Sequence, residues 1–271
     1  MKVFVHDVTH CNGCHGCQIA CKDEHVGNDW GSYAKPQPDT GQFWLKLNSY
    51  VRGTVPKVKM AYVPLLCQHC DNAPCVDACP VEGALTVRQD GLVIIDPTKC
   101  TGCQYCLAAC PYGTIYFNKD LNIAQKCTGC AHIVDRGWPI KEPRCIDNCP
   151  TECFKFGEES AMSSLIGEAE RLTPDFGETL ETRVYYKGLP KRFIAGTVYD
   201  PGEEDVIENA TCTLTGEGGP FTATTDSFGD FWFEGLAVGT FSLKIEANGK
   251  TKNFDSIITE KDVNLGDIAL S

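Results

Sequence analysis

The sequence predicts an α+β chain in two parts, a cysteine-dense domain over residues 1–190 and an all-β domain over residues 191–271. Three observations carry this. One cysteine motif recurs four times before residue 150; short helical stretches and hairpins separate the repeats; and from about Lys191 the chain becomes cysteine-poor, with short alternating strands between Gly-rich turns.

The motif is clearest from Cys100 to Pro111, where Cys100, Cys103 and Cys106 fall at every third position and Cys110 follows four further on, capped by proline. This is the spacing with which bacterial ferredoxins ligate [4Fe-4S] clusters. The variants are Cys11, Cys14, Cys17, Cys21; Cys67, Cys70, Cys75, Cys79; and Cys127, Cys130, Cys145, Cys149. The first departs from the rest, because Lys22 and not proline follows Cys21. Eighteen cysteines in 271 residues also fit a disulfide scaffold or zinc sites. Disulfide-rich domains are usually short and secreted, and these tight groups would make strained pairs. Zinc ribbons need neither three cysteines in register nor a terminal Cys-Pro, so iron-sulfur clusters are the expected cofactor.

In chain order, Lys2 to Val8 alternates as a short strand does, with Val3, Val5 and Val8 against Lys2, Phe4 and His6, and leads straight into the first motif. Gly13, Gly16, Gly102 and Gly129 let backbone amides approach sulfur. After each third cysteine the chain turns helical, at Gln18–Ala20 and Leu107–Ala109, which carries the fourth cysteine to a different cluster. Residues 26–65 read as a hairpin insertion, strand-like at Phe43–Val51 and Lys57–Leu66, whose aromatics Trp30, Tyr33, Phe43, Trp44 and Tyr50 are expected to bury against the cluster domain rather than face a partner. Val81 to Asp96 is a second hairpin, turning at Asp90-Gly91.

Residues 66–119 then form one complete ferredoxin-like two-cluster unit. In such units three cysteines of one motif share a cluster with the last cysteine of the other, so Cys67, Cys70, Cys75 and Cys110 are expected to hold one cluster and Cys100, Cys103, Cys106 and Cys79 the next. By the same crossing, residues 1–25 and 120–160 form an outer unit, with Cys11, Cys14, Cys17 and Cys149 on one cluster and Cys127, Cys130, Cys145 and Cys21 on another. Four clusters follow if all sixteen cysteines ligate, and three if one quartet is imperfect; motif four is stretched by His132 to Arg144, including Gly137-Trp138-Pro139. Enclosed by the outer motifs, Cys100–Cys110 is expected mid-way along the electron path.

Cys153 and Cys212 are left over and read as buried free thiols. His15 and His69 lie inside motifs, where packing or surface roles are expected over relay. Ser160 to Leu172 has helical spacing ended by Pro174, within a segment 161–190 that closes with a strap through Val184 to Pro190. Strands are expected at Phe193–Tyr199, Ala210–Thr215, Phe221–Thr225, Asp230–Glu234, Gly239–Glu246 and Lys252–Ile258, as a sandwich or barrel. Thr224 to Leu236, followed by Gly239-Thr240-Phe241, resembles the prealbumin-like or carboxypeptidase-regulatory-like β domains, which implies an interaction or spacer module without catalysis.

Residues 1 to about 190, with four motifs in this order, the long Cys130 to Cys145 gap and the Tyr185-Tyr186-Lys187-Gly188-Leu189-Pro190 strap, resemble the iron-sulfur subunit of the dimethyl sulfoxide reductase family of molybdenum enzymes. The resemblance implies an electron-transfer subunit with no catalytic residues of its own, in a heterodimer or multiple of it with a large catalytic partner that binds molybdenum through two molybdopterin guanine dinucleotides. A free-standing polyferredoxin and a protein whose clusters only hold the fold are the competing readings. The formal charge of −12, before any thiolate is counted, disfavours nucleic acid as a partner. No run is long and apolar enough to anchor the chain in a membrane, and the N-terminal residues lack the pattern of an export signal, so a cytoplasmic setting is expected.

Overall fold

A computed structural model describes residues 1–137 and 142–271, so Trp138 and Pro139 of the stretched fourth motif lie outside the described residues. The chain divides into two compact units, residues 1–49 with 62–189 and residues 50–61 with 190–271.

The first unit is built round a four-stranded sheet in the order Phe154–Glu158, Lys2–Asp7, Val184–Lys187, Glu170–Arg171. The first strand pairs antiparallel with Phe154–Glu158 and parallel with Val184–Lys187, where Phe4 lies opposite Val184. Val184 to Lys187 is therefore an interior strand of this sheet, not an external strap. Its neighbour differs from expectation as well: Val3, Phe4, Val5 and His6 are all buried, because a strand flanked on both edges and covered on both faces has no solvent side for alternation to mark. Two short antiparallel hairpins, Leu85–Val87 with Val93–Ile95 and Tyr116–Asn118 with Ile123–Gln125, complete the ferredoxin-like part. Gly91, with φ +88°, makes the tight turn that Asp90-Gly91 predicts.

The helical spacing of 160–172 is realised only in part. A 3-10 turn at Glu159–Met162 runs into a helix at Ser163–Gly167, after which the chain extends at Glu170–Arg171 to pair with Val184–Lys187. Pro174 does not end a helix but opens the next, Pro174–Leu180, where its missing N–H costs nothing.

The second unit is a sandwich. One sheet has Arg192–Asp200 between Asp230–Leu236, antiparallel, and Val263–Ala269, parallel; the other runs Gly219–Thr224, Thr211–Gly216, Thr240–Ala247, Lys250–Ile258, antiparallel throughout. Val263–Ala269 has no counterpart among the expected strands, since Gly266 and the charges around it hide its alternation. Ile194, Val198, Phe231 and Ile268 of one sheet meet Cys212, Leu214, Leu243 and Ile245 of the other in one buried core. The tip of the long hairpin Leu45–Thr54 and Lys57–Leu66 belongs to this unit: Arg52 is paired to Asp262 at 2.6 Å, and Lys57, almost fully buried, to Asp230.

Candidate metal centres

Three of the four motifs reach their sites through the same local grammar; the helix of the second, Pro74–Asp77, instead follows an extended Ala73. A left-handed residue, His15 (φ 59°), Gln104 (φ 65°) or Cys130 (φ 49°), precedes the helix Gly16–His25, Tyr105–Ala109 or Ala131–Val134, so the chain loops around a point and then leaves it. The loop leaves amide hydrogens facing sulfur. Gly16 N lies 3.4 Å from Cys14 Sγ, Gly129 N 3.4 Å from Cys127 Sγ, and Ala124 N 3.4 Å from Cys100 Sγ. Gly102 has φ +75°, and a Cβ there would lie 2.4 Å from the Asn122 carbonyl oxygen, so only glycine fits.

The cysteines come together across motifs. Cys79, Cys100, Cys103 and Cys106 line one pocket, walled by Val81, Leu85, Ile95 and Ala124. Cys67, Cys70, Cys75 and Cys110 line another with Ala73, Val93 and Ile115. Mutual repulsion marks the remaining two groups. Burial pushes the Cys17 thiol up to about 12, with Cys149 and Cys14 adding to it. The same burial raises Cys21, reinforced by Cys127 and Cys130, and raises Cys145, reinforced by Cys130, Cys21 and Cys127. Within the cavities burial lifts Cys70 and Cys75 to about 12 and Cys106 to about 11, each raised further by its quartet neighbours.

Groups also feel one another. Cys17 of the first raises Cys21 and Cys145 of the second, Cys67 of the third raises Cys127 of the second, and Cys106 of the fourth raises Cys75 of the third.

These sites fit an iron-sulfur cluster. The donors are thiols alone, in apolar pockets where ionised sulfurs would repel one another without a compensating cation, and soft thiolate sets select such clusters. A second feature matches. Lys126 is fully buried, its Nζ donating to the Cys127 carbonyl oxygen at 3.0 Å and to that of Val93. Among the described residues no carboxylate pairs with it; its charge instead favours the thiolates of Cys75 and Cys127, one in each of two adjacent groups.

Lys126 is not distinguished by sequence reasoning, since a lysine before a cysteine carries no periodic signal. His25 is a second omission. It lies one turn after Cys21 on the same helix, a legible i, i+4 relation, and places Nε2 3.9 Å from Cys130 Sγ. Burial lowers it to about 3, so the ring is neutral, and it packs on Trp44. His69, also buried, accepts from Val93 N at 3.0 Å and stacks on Phe4, a packing role as expected, while His15 serves the turn before its helix. Of the insertion's aromatics Trp44 is buried and Tyr50 exposed.

The leftover cysteines separate. Cys212 is enclosed in the sandwich core. Cys153 is also buried, but against the first group: its Sγ is 3.6 Å from Cys149 Sγ and 3.7 Å from His6 Nε2, and its hydrogen bond to Cys11 lowers that thiol against the effect of burial.

Residues 58–159 match the family model of a 4Fe-4S dicluster domain, and residues 194–271 that of a carboxypeptidase regulatory-like domain. The chain is 38% identical over 276 residues to the pyrogallol hydroxytransferase small subunit of Pelobacter acidigallici, spanning 98% of both. It is 35% identical over 199 residues to a dimethyl sulfoxide reductase iron-sulfur subunit of Halobacterium salinarum, covering 61% of this chain and 70% of that one. The thiosulfate reductase electron transfer subunit of Salmonella typhi matches at 35% over 171 residues, 62% of this chain and 82% of that one. Among the described residues no helix is long and apolar enough to cross a membrane.

Proposed function

Because the chain belongs to the family of iron-sulfur subunits of the dimethyl sulfoxide reductase type, we propose that its sixteen motif cysteines hold four [4Fe-4S] clusters and that it is the small subunit of a cytoplasmic pyrogallol hydroxytransferase. As an iron-sulfur electron-transfer small subunit of the molybdenum-enzyme kind, it serves a large catalytic partner carrying molybdenum on two molybdopterin guanine dinucleotides. The proposed ligand sets are Cys11, Cys14, Cys17, Cys149; Cys21, Cys127, Cys130, Cys145; Cys67, Cys70, Cys75, Cys110; and Cys79, Cys100, Cys103, Cys106.

The gathering of the sixteen thiols into four groups, each drawn from two motifs, carries this reading. Each bound cluster supplies one-electron chemistry. The protein's part is to set the spacing, to exclude water with Val93, Ile95 and Ile115, and to offset negative charge with the amides of Gly129 and Ala124 and the ammonium of Lys126. A hydroxyl transfer between aromatic rings involves no net oxidation, so the clusters set and reset the redox state of the partner's metal rather than draining electrons at every turnover.

Anaerobic purification tests the proposal. The expected result is about sixteen irons per chain, a large subunit with molybdenum at equal stoichiometry, and clusters that titrate reversibly by electron paramagnetic resonance. Purification without a partner would favour a free-standing polyferredoxin, and clusters that never change state would favour a structural role.

A further inference from the structure

Cys153 differs from an ordinary core thiol in what surrounds its sulfur. Among the described residues the polar contact of the Cys212 sulfur is the Ala210 carbonyl oxygen, at 3.9 Å. Cys153 faces Cys149 Sγ at 3.6 Å and His6 Nε2 at 3.7 Å, and the ligand atoms of His6, Cys11 and Cys153 all lie within 4.8 Å of one another. His6 is 2% exposed and, among the described residues, its Nδ1 has no partner, so the contact with sulfur is its one polar interaction there.

The backbone fixes this arrangement. The Cys153 carbonyl oxygen accepts from Asp7 N at 2.7 Å, and the next residue, Phe154, lies opposite His6 in the sheet. Cys149, by contrast, follows the single turn Arg144–Asp147 and sits in a connecting loop. The position of Cys149 in its quartet is therefore shared by two sulfurs 3.6 Å apart, one on a loop and one on the approach to a strand.

We propose that Cys153 is an alternate ligand at the first centre, able to replace Cys149 on the same iron. This rests on the reading above that Cys11, Cys14, Cys17 and Cys149 hold a cluster. In the exchange the iron–Sγ bond to Cys149 breaks and one to Cys153 forms. The Cys153 thiol proton passes to His6 Nε2 and on to the released Cys149 thiolate, or stays on His6 where Cys149 has been lost, so charge and oxidation state are unchanged. The centre thereby keeps its cluster when Cys149 is lost to oxidation or substitution.

Iron and acid-labile sulfide per chain, with the resonance spectrum of the reduced holoprotein, decide the matter. Cys153→Ala is expected to keep full iron, and Cys149→Ala to keep full iron with a shifted spectrum for one cluster. Cys149→Ala/Cys153→Ala should lose about four irons, as should Cys14→Ala, whose sulfur has no substitute. A Cys149→Ala protein as depleted as the double variant would overturn the proposal, as would loss of the cluster in Cys153→Ala. Full iron in Cys14→Ala would instead show that the first quartet holds no cluster. Should the alanine variants fail to fold, Cys149→Ser gives the same comparison: an all-thiolate spectrum while Cys153 is present, and an oxygen-ligated one only with Cys153→Ala. An oxygen-ligated spectrum in both overturns it.

Discussion

The two units of this chain keep their folds by opposite means. In the second, Ile194, Val198, Phe231, Leu214, Leu243 and Ile245 fill a core from two facing sheets, and the sequence needs nothing else to close it. In the first, the walls of the inner cavities are a few short side chains, among them Ala73, Val93, Ile95 and Ala124, and the space between them is bounded by sulfur. Its core sets ionisable thiols and a buried ammonium among the methyl groups of Leu85, Val93, Ile95 and Ile115, so its stability is coupled to metal binding.

Removing iron is the largest perturbation this contrast anticipates. With clusters stripped by chelator under oxidation, hydrogen exchange should show amides of 67–130 losing protection while those of 192–269 keep theirs; simultaneous loss in both would break the distinction. Cys106→Ser comes next. About four irons should disappear, with the hairpin Leu85–Val87 and Val93–Ile95 loosened, and an unchanged iron content would remove Cys106 from its proposed site. In the sandwich, Leu243→Ala should cost about 3 kcal/mol as a cavity, read as earlier melting of Thr211–Gly216 and Thr240–Ala247 without change in visible cluster absorption.

Smaller effects refine the electrostatic side. Lys126→Met should lower the reduction potential of the two adjacent centres. The interaction of unit charges at roughly 10 Å and an effective dielectric near 20 is about 1–2 kcal/mol, on the order of tens of millivolts by redox titration. Smallest is Asp135→Asn. The paired hydrogen bonds from Arg88, at 2.7 and 2.8 Å, hold the Asp135 carboxyl below the usual carboxylate range. Its stabilisation is therefore present above the ordinary Asp pKa and lost as pH falls through the depressed one. The pair is partly exposed, so denaturant titration should show less than about 1 kcal/mol at neutral pH.

Much of this is legible in the sequence because cysteine spacing is a geometric statement. Three sulfurs at every third residue close a loop on one point, and a following helix carries the fourth away, as Gly16–His25 and Tyr105–Ala109 do. Strand alternation likewise exposes the sandwich from Arg192 to Ile258. What stays hidden depends on contacts between distant segments. The parallel pairing of Lys2–Asp7 with Val184–Lys187 leaves no periodic trace, nor does the approach of Cys153 to His6 and Cys149.

The hairpin tip has a consequence for how such a chain is assembled from modules. Arg52 donates to Asp262 through both Nε and Nη2, and Asn264 reaches the Thr54 carbonyl oxygen at 3.2 Å, so residues encoded between the first two cysteine motifs complete a sandwich encoded after the last. The hairpin tip is thus part of the β unit. Grafted elsewhere as residues 190–271, the sandwich would arrive with Asp262 and Asp230 stripped of their cations. A graft that keeps these pairs carries residues 50–61 with the sandwich.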